Sequence, residues 1–268
     1  MERIDAGREV ARALQAALVA VLLGTAWGCG ADGATGGDAL ADAQETTEAV
    51  PAVLADQVVE APGAGEGPFG DPQKAVNGVR GGGDAAGSTD VFTLGFAAGE
   101  DDLLVLGWSG RVAGNGPGTD LVVFENAFRI GDGAATFIEP AVVSVSRDGV
   151  AFVDFPHRYD GTAGEASLSD PAAWEGFAGL TPVRWNVDSR EADPFDREAA
   201  GGDAFDLDDL PADGGEGDAM RAGGFRFVRI RSAATQVDPA TGLPFPRSAV
   251  SNGPDIDGVA ARYLVPEA

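Results

Sequence analysis

Short apolar runs separated by turn residues dominate the chain after its N-terminal quarter. Residues 121–124 are β-branched, aliphatic or aromatic and follow the turn-rich run 115–119, so they predict a buried strand. Residues 141–146 and 150–155 are two alternating runs around Arg-Asp-Gly at 147–149, a pattern typical of a β-hairpin. No long helical period follows the N-terminal segment, which favours a chain built mainly of strands.

The remaining strand-like runs have the same character and similar lengths. Residues 225–231 alternate apolar and basic side chains, which predicts one face in a core and the other in water. Residues 201–210 are instead expected to form an acidic loop or a single helical turn. Further strands are predicted at 91–94, 103–108, 183–187 and 259–265. Seven to nine short strands with long glycine-rich connections indicate one all-β domain, a β-sandwich, over residues 71–268.

The N-terminal segment, residues 1–28, has the pattern of a secretory signal peptide. A basic n-region is followed by an apolar stretch at 13–27. This stretch is about 15 residues long, which is shorter than the roughly 20 residues that a transmembrane helix requires. The basic residues are Arg3, Arg8 and Arg12. This pattern predicts an extracytoplasmic protein.

Cys29 is the only cysteine of the chain and stands at the end of the apolar stretch, so no internal disulfide is expected. Residues 26–29 resemble a bacterial lipobox, although Ala26 and Trp27 differ from the residues usual at their places. The resemblance implies that Cys29 is lipidated and becomes the new N-terminus. Gly30 rather than Asp follows it, which implies an outer-membrane or cell-surface location.

Residues 29–70 consist largely of Ala, Gly, Asp, Glu, Thr and Pro, with few large apolar side chains. Such a composition cannot offset the entropy lost on ordering, so a disordered acidic tether is expected up to residue 70. The whole chain has a formal net charge of -25. That charge excludes nucleic acid as a partner and attracts divalent cations, although solubility alone would also explain it.

Oxygen-bearing side chains recur at the ends of the predicted strands and in the loops beside them. Calcium takes six to eight oxygen ligands, and converging carboxylates would repel one another without a cation. The candidate ligands of a structural Ca²⁺ are Asp120, Glu125, Asn126, Glu139, Asp203, Asp206 and Asp257. Glu125 and Asp206 come first because apolar neighbours hold them near the core. The alternatives are solvated turn acids, or an arginine partner such as Arg80 or Arg229.

Aromatic side chains are the second group of candidates, because their rings can stack on sugars. Trp174, in a predicted loop, and Tyr159 are expected to contact a ligand. Trp108 and Trp185 lie inside strand-like runs and are expected in the core.

Enzyme chemistry has little support in the residue inventory. One histidine and one cysteine exclude a Cys–His nucleophile and a histidine-rich zinc site, and no Gly-x-Ser-x-Gly elbow is present. A carboxylate pair, for example Glu125 with Glu139, leaves a secreted glycoside hydrolase as an alternative.

Several motifs carry a resemblance to a known fold. Residues 144–152, 225–231 and 257–261 resemble the hairpin, late strand and closing strand of discoidin-like (coagulation factor 5/8 C-type) galactose-binding domains. Together with 124–128, 202–207 and 255–259, their order is similar to that in a group of uncharacterised bacterial cell-surface proteins and lipoproteins. The resemblance covers about residues 75–265 and implies a jelly-roll sandwich.

The combined expectation is a surface-anchored lipoprotein with a binding or adhesion module for carbohydrate or another surface component, stiffened by calcium. A carboxylate-pair hydrolase and a purely structural envelope protein remain alternatives. A binding module should show a loop-end groove with an exposed aromatic, and a hydrolase two facing carboxyls in a cleft. The oligomeric state stays open.

Overall fold

The computed structural model describes residues 53–96, 102–133, 135–189, 191–212 and 214–267. The predicted signal peptide, the lipidation site Cys29 and the first part of the predicted tether lie outside these residues. Within the described ranges, no helix combines the length and apolar character required to cross a bilayer.

The described residues form fifteen strands. The strands are β1 Gln57–Glu60, β2 Phe92–Thr93, β3 Leu103–Gly107, β4 Arg111–Ala113, β5 Leu121–Glu125, β6 Phe128–Arg129, β7 Thr136–Phe137, β8 Ala141–Ser146, β9 Phe152–Asp154, β10 Arg158–Tyr159, β11 Trp174–Glu175, β12 Asp203–Phe205, β13 Phe227–Ser232, β14 Asp255–Ala261 and β15 Leu264–Pro266. Two α-helices, α1 Arg197–Ala200 and α2 Glu216–Gly223, and five 3-10 turns, Pro72–Ala75, Gly161–Ser169, Pro171–Ala173, Leu207–Asp209 and Ala233–Thr235, complete them. The antiparallel, strand-dominated content confirms the all-β class.

The larger sheet has five antiparallel strands in the order β1-β3-β13-β8-β9. Its central strand, β13, pairs Val228 with Leu106 on one side and with Val145 on the other. Apolar and basic residues alternate along β13, which suits a strand that buries one face. Val228 and Ile230 are fully buried, while the arginines between and after them reach the opposite face. The expectation of one core face and one wet face is confirmed here.

The second sheet has four antiparallel strands in the order β12-β5-β14-β2. All five residues of β5 are buried. Leu121 and Val123 belong to the main hydrophobic core, whereas Val122 and Phe124 pack with Trp185 in a second cluster on the other side. Because both faces of β5 are covered, its sequence is a continuous apolar run rather than an alternating one.

One hydrophobic core joins the two sheets. It contains Leu106 and Val143 of the five-stranded sheet together with Val123 and Val259 of the four-stranded sheet. Trp108 also lies in this core, at 3% exposure, which confirms its expected structural role. The two sheets are therefore layers packed over shared apolar side chains.

One local prediction was wrong and another was only partly right. Residues 183–187 form no strand; a single bridge between Arg80 and Asn186 is their only pairing of this kind in the described chain. The predicted acidic loop or helical turn does contain the 3-10 turn Leu207–Asp209, but β12 precedes it and pairs Ala204 with Val122. The acidic residues around β12 obscured this strand in the sequence, because β12 is ordered by pairing with β5 rather than by a strand-like residue pattern of its own.

The N-terminal boundary of the domain also differs from the expected one. Leu54 and Ala55 are 3% and 1% exposed, and β1 pairs with β3. Backbone bonds from Ala55 to Val259 and from Asp56 to Gly107 attach the segment to both sheets in turn. The expected tether therefore ends before residue 53, because the apolar residues in its last part outweigh its average composition.

A substitution at Leu54 tests this boundary. Leu54→Ala removes a buried side chain and should lower the free energy of unfolding by about 2–4 kcal/mol, measured by urea unfolding of the full chain. Val59→Ala, at a position 43% exposed, is the matched control and should change it by less than about 0.5 kcal/mol. Equal unfolding midpoints for the two variants would contradict the assignment of residues 53–60 to the domain.

Candidate functional site

Four carboxylates lie together where β5, β12 and β14 meet the loops beside them. This acidic cluster consists of Glu125, Glu139, Asp203 and Asp255. Strand pairing brings three of them together, since Glu125 stands opposite Ile256 in β14 and Asp203 stands opposite Val123 in β5. Burial raises the pKa of Glu125 well above its ordinary value, and the negative charges of Glu139, Asp255 and Asp203 raise it further.

Glu125 is 1% exposed, and its two oxygens have different surroundings. Oε1 accepts a hydrogen bond from the backbone N–H of Asp255 at 3.1 Å. Oε2 is buried and has no hydrogen-bond partner. A Cβ built on Gly179 would lie 3.2 Å from this oxygen and 2.5 Å from the carbonyl oxygen of Glu139. A side chain at position 179 would therefore collide with the Glu139 backbone, so only glycine fits beside this oxygen.

Glu139, which is 4% exposed, holds the segment before β14. Its Oε1 accepts hydrogen bonds from the Ser251 hydroxyl and from the backbone N–H groups of Asn252 and Gly253, the last two at 3.1 and 3.0 Å. Burial is the main cause that raises the pKa of Glu139 to about 8, and the negative charge of Asp255 raises it further. The hydrogen bonds from residues 251–253 act in the opposite direction and lower this pKa. One carboxyl group thus anchors a whole loop.

Asp255 and Asp203 complete the cluster. The Thr93 hydroxyl donates to Asp255 at 2.5 Å, and the Asn126 side chain also hydrogen-bonds this carboxyl group. Asp203 accepts from the Leu180 N–H at 2.9 Å and from a neighbouring threonine hydroxyl at 2.8 Å. Burial raises the pKa of both aspartates. Asn126 therefore lies beside the cluster, and its amide also bonds the backbone of Ser88.

The other predicted oxygen donors lie elsewhere, so the prediction that all seven candidates hold one calcium ion was wrong. Asp120 stands before the opposite end of β5, roughly 17 Å from Glu125 along an extended chain. It accepts from the N–H groups of Gly116 and Leu207 at 2.9 and 2.8 Å, and burial raises its pKa to about 6. Asp206 is near Asp120 and caps the following 3-10 turn.

Asp257 belongs to a third environment. A register shift between Ile256 and Gly258 interrupts the alternation of β14, so Asp257 departs from Asp255 and accepts from the Arg80 N–H at 3.0 and 2.9 Å. Asp257 rather than Asp255 was predicted as a ligand, because the bulge leaves no clear signal in the residue pattern.

The arginine partners suggested for Glu125 and Asp206 were also wrong. Arg80 forms ion pairs with Asp90 and Asp188, at 3.1 and 2.7 Å. Arg229 lies 3.7 Å from Asp154 and over the ring of Phe152 on the outer face of the five-stranded sheet. Neither side chain compensates the acidic cluster.

The predicted aromatic platform is buried. Trp174 is 1% exposed, lies in the two-stranded β10-β11 sheet and packs 4.2 Å from the ring centroid of Tyr159. Its indole N–H donates to the Ser167 carbonyl at 2.9 Å, and Phe177 and Phe245 cover it further. The expectation that Trp174 stands free in a loop was therefore wrong, whereas Trp185, at 3% exposure, is in the core as expected.

A small pocket nevertheless connects the two predicted groups, because both Glu139 and Trp174 line it. Its enclosed part has a volume of about 10 Å³, so the pocket is shallow and open at its mouth. The other lining residues are Phe96, Ile138, Pro140, Leu168, Ser232, Ala233, Ala234, Pro246, Arg247, Ser248, Ser251 and Pro254. Arg247 stacks over the Phe96 ring at 3.8 Å. The pocket thus combines apolar walls with one carboxyl group, one guanidinium and several hydroxyls.

Asp257 provides a test of the buried carboxyls by pH. Its folded-state pKa of about 8 exceeds the ordinary value of 3.8 mainly because of burial. Between these values the folded protein keeps a proton that the unfolded chain has released, so the free energy of unfolding falls as pH rises from about 4 to about 8, by at most about 1.4 kcal/mol per pH unit. The melting temperature of the wild type should fall accordingly, and Asp257→Asn should make its decline shallower.

The control for this pH series is Asp209→Asn, at an exposed position in the 3-10 turn after β12. It should preserve the wild-type slope. A wild-type melting temperature that rises steadily between pH 4 and pH 8 would contradict the burial of Asp257 in the folded state.

No protein-family model matches the chain, and no curated protein matches it significantly.

Proposed function

We propose that the chain is a surface-anchored lipoprotein whose β-rich domain binds a carbohydrate or another surface component. The ligand site is the pocket between Glu139 and Trp174. The observation that carries this proposal is the composition of the pocket, which sets aromatic and aliphatic walls beside a carboxyl group, a guanidinium and hydroxyl groups. Such mixed, mostly apolar concave sites are typical of small-ligand binding.

The jelly-roll, galactose-binding type of sandwich is part of the proposal. In its support, a five-stranded and a four-stranded antiparallel sheet share one core. The hairpin of β8 and β9 and the late strand β13 contain the motifs on which the sequence resemblance rests.

The chemistry of the pocket, rather than its size, favours contact with a sugar at its mouth. Its enclosed volume, about 10 Å³, has room for about one water molecule and is far below the roughly 300–1,000 Å³ of deep ligand pockets. Sugar hydroxyls pair well with charged groups, and the C–H face of a sugar packs on apolar side chains. Because Glu139 Oε1 is engaged by residues 251–253, Arg247 and Ser248 are the main candidates for direct polar contact.

Binding is better supported than hydrolysis by a Glu125–Glu139 pair. Both carboxyl groups are nearly inaccessible, at 1% and 4% exposure, and Glu125 is not among the residues that line the pocket. Glycoside hydrolysis requires two carboxyls on either side of a scissile bond. Among the described residues, these two share no opening in which a substrate could lie.

A glycan-array screen of the purified full chain, followed by calorimetry, tests the ligand proposal. Arg247→Ala should weaken binding of any saccharide found by at least about tenfold, because it removes a charged hydrogen-bond donor of the pocket. Arg226→Ala is the matched control, since that arginine pairs with Glu267 away from the pocket. The proposal fails if the wild type binds no saccharide, or if Arg247→Ala binds as tightly as the control.

The membrane anchor is tested separately through Cys29, whose acyl chains would hold the protein at the outer membrane or cell surface. Cys29→Ala removes the acceptor of these chains, so the variant should leave the membrane fraction and appear in the soluble extracytoplasmic fraction, as followed by immunoblot. Arg12→Lys, which preserves the charge of the signal, should remain membrane-bound. A Cys29→Ala variant found wholly in the membrane fraction would exclude the lipid anchor.

A further inference from the structure

The buried oxygen Oε2 of Glu125 is the feature that the fold and the pocket leave unexplained. It is an acceptor without a donor, in a side chain that is 1% exposed. Leaving such an oxygen without a partner costs folding free energy, and more so for an ionised carboxyl group. A folded protein that retains such a group normally supplies a positive partner for it.

The described side chains supply none. The ion pairs of the described residues join other groups, such as Arg80 with Asp90, Arg129 with Asp84, and Arg231 with Asp154. The groups whose charges reach Glu125 are Glu139, Asp255 and Asp203, all of them acids. The cluster therefore concentrates negative charge among largely buried side chains.

The backbone of Gly179 packs directly against the two oxygens. An added Cβ there would lie 3.2 Å from Glu125 Oε2 and 2.5 Å from the Glu139 carbonyl oxygen. Only glycine fits at this point, where φ is +86°, because a larger residue would collide with the Glu139 carbonyl. Both oxygens are hard ligands and lie within 3.2 Å of one point beside Gly179.

We propose that a divalent cation of the calcium class binds at Glu125 Oε2 beside Gly179, with the acidic cluster supplying the compensating negative charge. Oxygen-only surroundings favour Ca²⁺ over transition metals, which prefer imidazole and thiolate ligands. Within the described ranges no three acidic, histidine or cysteine side chains already surround a common point. Backbone carbonyls, with Glu139 the first candidate, and water therefore complete the coordination.

The cation joins three parts of the chain. Glu125 ends β5, Glu139 precedes β8 and holds residues 251–253, and Asp255 begins β14. Ser251 and Pro254 also line the pocket, so the cation stiffens one wall of the proposed ligand site. The inference goes beyond the binding function and does not depend on it, because the cation site stands whether or not a saccharide enters the pocket.

Calorimetric titration of the chelator-treated full chain with CaCl₂ tests the proposal. The expected result is one Ca²⁺ per chain, together with a melting temperature at least about 5 °C higher in excess Ca²⁺ than in EDTA. Mg²⁺ should bind at least about tenfold more weakly, since an irregular set of oxygens suits the larger ion. If protons alone keep the cluster neutral, no Ca²⁺ will bind and the melts in Ca²⁺ and EDTA will coincide, which overturns the proposal.

Two variants locate the ion. Glu125→Gln keeps the shape of the side chain but removes its charge, so it should weaken Ca²⁺ binding at least about tenfold while melting in EDTA no lower than the wild type. Asp206→Asn, near Asp120 at the other end of β5, is the matched control and should bind Ca²⁺ as the wild type does. Ca²⁺ binding that survives in Glu125→Gln and disappears in Asp206→Asn would overturn the assignment.

A further variant keeps the test decisive if Glu125→Gln does not fold. Asp255→Asn removes one charge of the same cluster and should also weaken Ca²⁺ binding, measured by equilibrium dialysis. Wild-type affinity in Asp255→Asn would contradict the proposed position. Failure of the glycan screen with normal Ca²⁺ binding would refute the ligand proposal alone, and the converse would refute only the cation site.

Discussion

The burial of β5 on both faces is the constraint on which the rest of the molecule depends. Leu121 and Val123 face the five-stranded sheet, while Val122 and Phe124 face a second layer that contains Trp185. Because the strand has no solvent-facing side, the carboxyl group at its end, that of Glu125, is buried with it. The geometry of the acidic cluster therefore follows from the packing of apolar layers on both faces of β5. This packing, and not a ligand, sets the position of Glu125.

Much of the architecture could be predicted for those strands whose own residue pattern reflects their burial. The alternation of β8 and β13 and the apolar run of β5 reflect how many faces each strand buries. The short strands β1 and β12 could not be found in this way, since each is ordered mainly by pairing with a stronger neighbour. Residues 183–187 show the opposite error, because apolar side chains there fill a core without joining a sheet.

The candidate site was predicted in part, and the misses have a common cause. The sequence places acids at strand ends, which brought Glu125, Glu139 and Asp203 into consideration, but it does not say which ends meet. Asp120 lies at the other end of β5 from the cluster, and Asp255 rather than Asp257 is the aspartate of β14 that belongs to it. Likewise, nothing in the loop around Trp174 indicated that several aromatic rings close over it.

The attachment of residues 53–60 determines how the domain would respond to mechanical load. Any pull on a membrane-anchored N-terminus would enter the fold at Val53, whose carbonyl accepts from the Ala261 N–H, and next at Ala55 and Asp56, whose N–H groups donate to Val259 and Gly107. Tension would thus be divided between both sheets rather than peeling a single edge. These hydrogen bonds would be strained first, before force reaches β1 or the acidic end of β5.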